Sequence, residues 1–197
     1  MTADALDAQI REGLPRGLHF GTPGAVSLTQ VTECGTVYSL DEIGALGEVA
    51  ARHGLPVHMD GARFANALVA LGCTPAEMTW KAGVTALSFG ATKNGCLGVE
   101  AVVLFEPDHA APYPYIRKRT GHLFSKHRFL AAQMAAYLEG DLWRESAAAA
   151  NAAGQRLAAG LRANPAAVFQ HPPDANMIFV SLPRAAHARA LAEGARY

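Results

Sequence analysis

Two short stretches hold the residues best suited to chemistry. HMDGARFANALVALG (residues 58–72) sets Asp60, Gly61 and Arg63 at the end of an apolar run, and LSFGATKNG (residues 87–95) sets Lys93 among small residues at the end of another. An acid and an amine at two strand ends suit several chemistries. Gly90 to Gly95 has the glycine spacing of a phosphate loop, but no Lys-Ser/Thr pair follows, so the ligands for phosphate and magnesium are missing. No G-x-G-x-x-G opens a helix, which leaves a dinucleotide without its turn. His58 and Asp60, alternate residues on one strand face, supply two metal ligands, with no third at a recognisable spacing. A pyridoxal phosphate (PLP) coenzyme uses both residue types: a lysine for its aldehyde and a carboxylate that keeps its ring nitrogen protonated. The amine must be neutral to attack, and small uncharged neighbours such as Ser88, Gly90, Ala91 and Thr92 favour that. Aspartates and lysines also end strands as ordinary solvated residues, so spacing alone leaves both readings open.

The elements that must position these residues can be read from the same sequence. Val26–Thr29 reads as a strand, followed by the polar run Gln30–Gly35. Ser39-Leu-Asp-Glu42 is a capping box opening a helix that carries Ile43, Leu46 and Ala50 on one face and stops at Gly54. Pro56–Met59 is a second strand, with Asp60 at its end, and a helix runs from about Arg63 to Leu71. Asp60 is also placed to cap the segment beginning at Ala62. Thr74-Pro-Ala-Glu77 is a second capping box with proline at the favoured first position. Val84–Phe89 and Ala101–Phe105 complete a set of strands alternating with helices, the pattern of an α/β layer on a mainly parallel sheet. Such sheets bind ligands beyond the C-terminal ends of their strands, where Asp60 and Lys93 both fall.

After Pro107 the character changes. Pro112–Tyr115 reads as a stiff connector, Arg117–Arg119 as a solvated or subunit-facing basic patch, and 126–162 as alanine-rich helix broken near Gly140-Asp141. Met177–Ser181 is the clearest strand of the last segment. The expected organisation is a large-domain portion over 1–108, connecting helices over 109–163, and the start of a small α+β domain over 164–197.

With 17 basic and 17 acidic side chains the chain has no net charge to attract nucleic acid or an anionic membrane. Its apolar runs are too short to span a bilayer, and its N-terminus mixes charge into apolar positions unlike a signal peptide. Cys34, Cys73 and Cys96 are odd in number and lack a C-x-x-C, which argues against a disulfide framework or zinc and for a reducing cytoplasm.

TECGTVYSLDEI, LPVHMDGARFANALVALG and ALSFGATKNGCLGVEAVVLF together resemble the low-specificity L-threonine aldolases and their β-eliminating relatives, and RKRTGHLFSKHRFLAAQMAAYL and ANMIFVSL extend the likeness along the chain. The resemblance implies the aspartate-aminotransferase-like fold, PLP as cofactor, and cleavage of L-threonine or L-allo-threonine to glycine and acetaldehyde. It also implies a small amino-acid substrate and a homo-oligomer, dimer or tetramer; the cytoplasmic location, with neither nucleic acid nor membrane as partner, is the expectation from charge, cysteines and apolar-run length. Lys93 matches the Schiff-base lysine, Asp60 the acid facing the pyridine nitrogen, and Arg63 an arginine facing cofactor and substrate carboxylate. Ser88 and Thr92 are candidate hydroxyl contacts to the cofactor. Glu33 stands where a related branch has histidine, which makes it the candidate acceptor of the substrate's hydroxyl proton. Alternatives are β-elimination on other amino acids and a non-catalytic remnant. Members of this family begin earlier, with a Gly/Thr phosphate loop, and continue further, to another carboxylate-binding arginine. The chain is therefore expected to be a central piece with weak catalysis by itself.

Overall fold

The computed structural model describes residues 1–13 and 21–197, and among these described residues ten short segments build the first half of the molecule. Helix α1 (Ala3–Gly13) precedes strand β1 (Val26–Thr29), helix α2 (Leu40–Arg52), strand β2 (Val57–Gly61) and helix α3 (Phe64–Leu71). A short α4 (Pro75–Met78) and a 3-10 turn at Trp80–Ala82 lead into β3 (Ala86–Gly90), then a 3-10 turn at Thr92–Asn94 leads into β4 (Glu100–Leu104). The strands lie in the order β1-β2-β3-β4, with the first three parallel and β4 antiparallel to β3. The fold is thus α/β with a mainly parallel sheet.

Stepping always in one direction across a sheet by right-handed crossovers puts every crossover helix on the same face. Period-2 burial records this. Val26, Leu28, Val57, Met59, Leu87 and Phe89 are buried on the helix side, whereas Ser27, His58, Asp60, Ala86 and Ser88 alternate with them and stay partly or fully exposed. Parallel sheets are normally covered on both faces and read as continuous apolar runs. Here the second face is polar, and that is the face on which Asp60 and Ser88 stand.

Both capping boxes form. The Ser39 hydroxyl accepts from the Glu42 N–H at 3.2 Å, and the Glu42 carboxylate accepts from the Ser39 N–H at 2.8 Å. Thr74 and Glu77 repeat the exchange at 3.3 and 2.8 Å. These hydrogen bonds from Ser39 and Thr74 hold each glutamate below its ordinary pKa. Helix α2 ends as expected at Gly54, whose φ of 66° is left-handed.

The second half contains α5 (Pro107–Ala110), α6 (Tyr113–Arg119), α7 (Arg128–Leu138) and α8 (Leu142–Arg162), then the two-residue strands β5 (Val168–Phe169) and β6 (Val180–Ser181), and α9 (Arg184–Ala192). The break at Gly140-Asp141 is where the sequence places it. Two expectations need correction. Pro112–Tyr115 is no connector: Pro112 caps α6 and Pro114 lies in its first turn, where a missing N–H is harmless. The strand expected over 177–181 shrinks to Val180–Ser181, because Met177 instead backs onto the Gly35 loop. The N-terminus is helical. Thr2 accepts from the Ala5 N–H, and Leu6 and Ile10, four apart, are buried. Among the described residues no helix is long and apolar enough to cross a membrane.

Candidate active site

Two glycines bring the ends of β2 and β3 together. A Cβ on Gly61 would lie 2.8 Å from the Ser88 carbonyl oxygen and 2.7 Å from Leu87 Cδ1. A Cβ on Gly90 would lie 2.6 Å from Ala62 Cα and 2.8 Å from its carbonyl oxygen. Real Cβ atoms do not approach backbone so closely, so the D-G-A and F-G-A motifs are glycine-centred because the two strand ends touch. Small uncharged neighbours are expected to favour a neutral Lys93 amine; at Gly90 the packing of Ala62 supplies a second reason for the missing side chain.

Asp60 is in register with Ser88 on the neighbouring strand, and its backbone oxygen accepts from the Gln30 N–H at 2.9 Å. Its Oδ1 accepts from the Ala62 N–H at 2.9 Å, a two-residue Asx turn. Helix α3 starts later, at Phe64, with Arg63 at its cap position and no side-chain cap, so Asp60 is not the helix cap. The second carboxylate oxygen of Asp60 has no hydrogen bond among the described residues.

Arg63 is folded inward, with 17% of its side chain exposed, while the Glu33 side chain is 73% exposed. Their charged atoms approach to 3.8 Å, Nη1 to Oε1. That is an ion-pair distance beyond hydrogen-bond range, and Nη1 is a buried donor without a hydrogen-bond partner among the described residues. Glu33 projects from a tight loop whose ends are tied by the Thr32 and Thr36 hydroxyls, 2.7 Å apart. Buried Gln30 anchors the same loop. Its amide exchanges hydrogen bonds with both backbone groups of Tyr38, at 2.9 and 3.1 Å.

Lys93 sits in the 3-10 turn that follows β3, exposed and without an ion pair among the described residues. Asn94 pins that turn: its amide donates to the Tyr137 hydroxyl at 2.6 Å and to the Trp143 carbonyl at 2.8 Å. Burial pushes the Tyr137 phenol up from its ordinary pKa. Gly95 takes φ 117°, a conformation closed to other residues at low strain. Gln133 of α7 then accepts from the Leu97 and Gly98 N–H groups at 3.1 and 3.2 Å. The Thr92 hydroxyl is occupied within this loop, donating to the Val99 carbonyl and accepting from the Val99 N–H at 3.1 Å.

Ser88 belongs to a chain of side chains across three strands. His58 Nε2 meets the Ser88 hydroxyl at 2.8 Å, and His58 Nδ1 meets the Ser27 hydroxyl at 2.9 Å. His58 is a satisfied histidine that laces β1, β2 and β3 on the open face. Ser88 and Thr92 also border a cleft of about 780 Å³ whose far wall includes Tyr113, Arg117 and His127.

The structure therefore brings Arg63 to Glu33 and Asp60 into register with Ser88, and Gly90, three residues before Lys93, abuts Ala62 in the same turn. Sequence reasoning missed Gln30, Asn94 and Gln133, which hold the two loops. It also missed Asn66 and Asn151, a buried amide pair 3.0 Å apart that fixes α3 to α8. Of these only Asn94 had a local signal, its place inside the K-N-G turn.

A family model described as beta-eliminating lyase matches residues 1–184. The low specificity L-threonine aldolase of Pseudomonas aeruginosa is 43% identical over 180 residues, 91% of this chain and 52% of that protein. The enzyme of the same description from Pseudomonas sp. strain NCIMB 10558 is 44% identical over 177 residues, 89% of this chain and 51% of that one. Among solved structures, the threonine aldolase of Leishmania major superposes with a TM-score of 0.89 at 25% identity, covering 98% of this chain and 56% of that chain. The chain spans about half the length of the curated relatives it matches.

Proposed function

This chain belongs to the beta-eliminating lyase family, and from that premise we propose that it carries the lysine and acid of a PLP-dependent aldolase that cleaves L-threonine or L-allo-threonine to glycine and acetaldehyde. The observation that supports this best is the close approach of Gly90, three residues before Lys93, to Ala62, which lies between Asp60 and Arg63.

The side chains present fit the coenzyme. Among the described residues, Lys93 offers an amine free of ion pairs, Asp60 a carboxylate with one oxygen uncommitted, and Arg63 a buried nitrogen lacking a hydrogen bond. When bound, PLP supplies an electron sink for the pair released by a bond broken at the substrate's Cα. Lys93 would hold it through its aldehyde, and Asp60, oriented by the Ala62 N–H, would keep its ring nitrogen protonated. Arg63 would receive the substrate carboxylate, to which a guanidinium fork is matched. Glu33 would take the β-hydroxyl proton as the Cα–Cβ bond breaks and acetaldehyde leaves. Ser88 would support the site through His58. Thr92 would have to exchange its Val99 partner to touch the cofactor.

A homo-oligomer in the cytoplasm is part of the same proposal, as is activity of the whole protein. The family's description favours one second reading, β-elimination from amino acids with another leaving group. The test is titration with PLP, followed by absorbance. A new visible band that Lys93→Ala abolishes supports the assignment, and a band that survives Lys93→Ala overturns it. Product analysis separates the two reactions, since threonine yields glycine by one and a keto acid by the other.

A further inference from the structure

We propose that Glu33 is the resident carboxylate of Arg63, and that a substrate's carboxylate binds by displacing it. This rests on the reading of Arg63 as the carboxylate receptor and concerns what that receptor holds when no amino acid is present.

Three observations carry the inference. First, Glu33 Oε1 is the anionic atom facing Arg63 Nη1, at 3.8 Å. The guanidinium is neutralised before any ligand arrives, which removes the penalty of a buried unpaired charge. Second, the pairing is incomplete: at that separation it is Coulombic only, and Nη1 keeps an unused donor. An incoming carboxylate that reaches hydrogen-bond distance gains a charge-assisted bond that Glu33 does not make, so exchange is favourable. Third, the two partners differ in freedom. The Arg63 side chain is mostly buried, whereas the Glu33 side chain is largely in solvent. Its backbone is held by the Thr32–Thr36 bonds, so the carboxylate can leave by side-chain rotation without unfolding the loop.

The consequence is a toll on affinity shared by every carboxylate ligand. Because Glu33 is mostly exposed, its grip is that of a surface ion pair, and releasing Arg63 from it should tighten binding about two- to fivefold. Displacement also frees Glu33 at the moment its catalytic role begins, which couples arrival of the substrate to delivery of the proton acceptor.

Glycine is the discriminating ligand, since it has the carboxylate but no hydroxyl for Glu33 to deprotonate. The experiment is calorimetric titration of glycine into the PLP-loaded protein, comparing wild type, Glu33→Gln and Arg63→Gln at low and high ionic strength. Glu33→Gln, a change in an exposed loop side chain, should bind glycine about two- to fivefold more tightly at low salt, with the advantage shrinking as salt screens the wild-type pair. Unchanged or weaker binding by Glu33→Gln, with Arg63→Gln weakened at least about tenfold as loss of a charged hydrogen bond requires, overturns the displacement alone. Glycine binding undiminished in Arg63→Gln overturns the assignment of Arg63 itself.

Discussion

Adding one methyl group at Gly90 should test how the strand ends meet. In Gly90→Ala the new Cβ would stand 2.6, 2.8 and 3.0 Å from the Cα, carbonyl oxygen and carbonyl carbon of Ala62. All three are backbone atoms between Asp60 and Arg63, so no side chain can rotate away and the strands must separate. Overpacking of this kind costs about 1–3 kcal/mol. Gly90 has no positive φ, so glycine's backbone freedom is not what the position needs, and the usual gain of about 0.4–1 kcal/mol from Gly→Ala acts in the opposite direction. The net expectation is a loss of about 1–2 kcal/mol, read as a lower denaturant midpoint at unchanged slope. Gly44→Ala is the internal control. Gly44 lies within α2 with nothing within 4 Å of an added Cβ, and the same substitution there should stabilise by about 0.5–1 kcal/mol. If Gly90→Ala matched Gly44→Ala in stability, the close approach of β3 to the Asp60–Arg63 turn would be refuted.

Asn94→Ala should leave the Tyr137 hydroxyl without its 2.6 Å partner and release the Lys93 turn from α7 and α8. The expected loss is about 1–3 kcal/mol, together with weaker PLP binding measured by fluorescence titration. Ser39→Ala removes one capping box and should cost about 1 kcal/mol, measured by thermal melting. The caps also predict a pH dependence. Glu42 and Glu77 have folded-state pKa values below the ordinary 4.5, so their contribution is fully present above 4.5 and is lost as pH falls through the depressed values. Denaturation midpoints measured in steps from neutral to acid should fall in that window, and less so in Ser39→Ala.

The layout was legible where local chemistry decides it. Both capping boxes, the αL stop at Gly54 and the break at Gly140 depend on residues within one turn, and the strand-end positions of Asp60 and Lys93 follow from the α/β alternation. What escaped depends on distant partners. Gln30 reads as a loop residue until Tyr38 takes both ends of its amide, and Asn66 reads as an odd polar residue in an apolar helix until Asn151, 85 positions away, arrives opposite it. The prolines of α6 read in sequence as a stiff connector, although in a first turn they are compatible with helix. In the site, residue types indicated which groups can react, but the uncommitted nitrogen of Arg63 and its pairing with Glu33 required coordinates.

Lys93 is the amine proposed to join PLP. Treating the PLP-loaded protein with borohydride fixes that linkage, and peptide mass mapping locates it among the lysines. The pyridoxyl mass is expected on the peptide containing Lys93 and should disappear in Lys93→Ala. Stoichiometric label on Lys81, Lys118 or Lys126 instead, or no label on a protein that binds PLP, would contradict it.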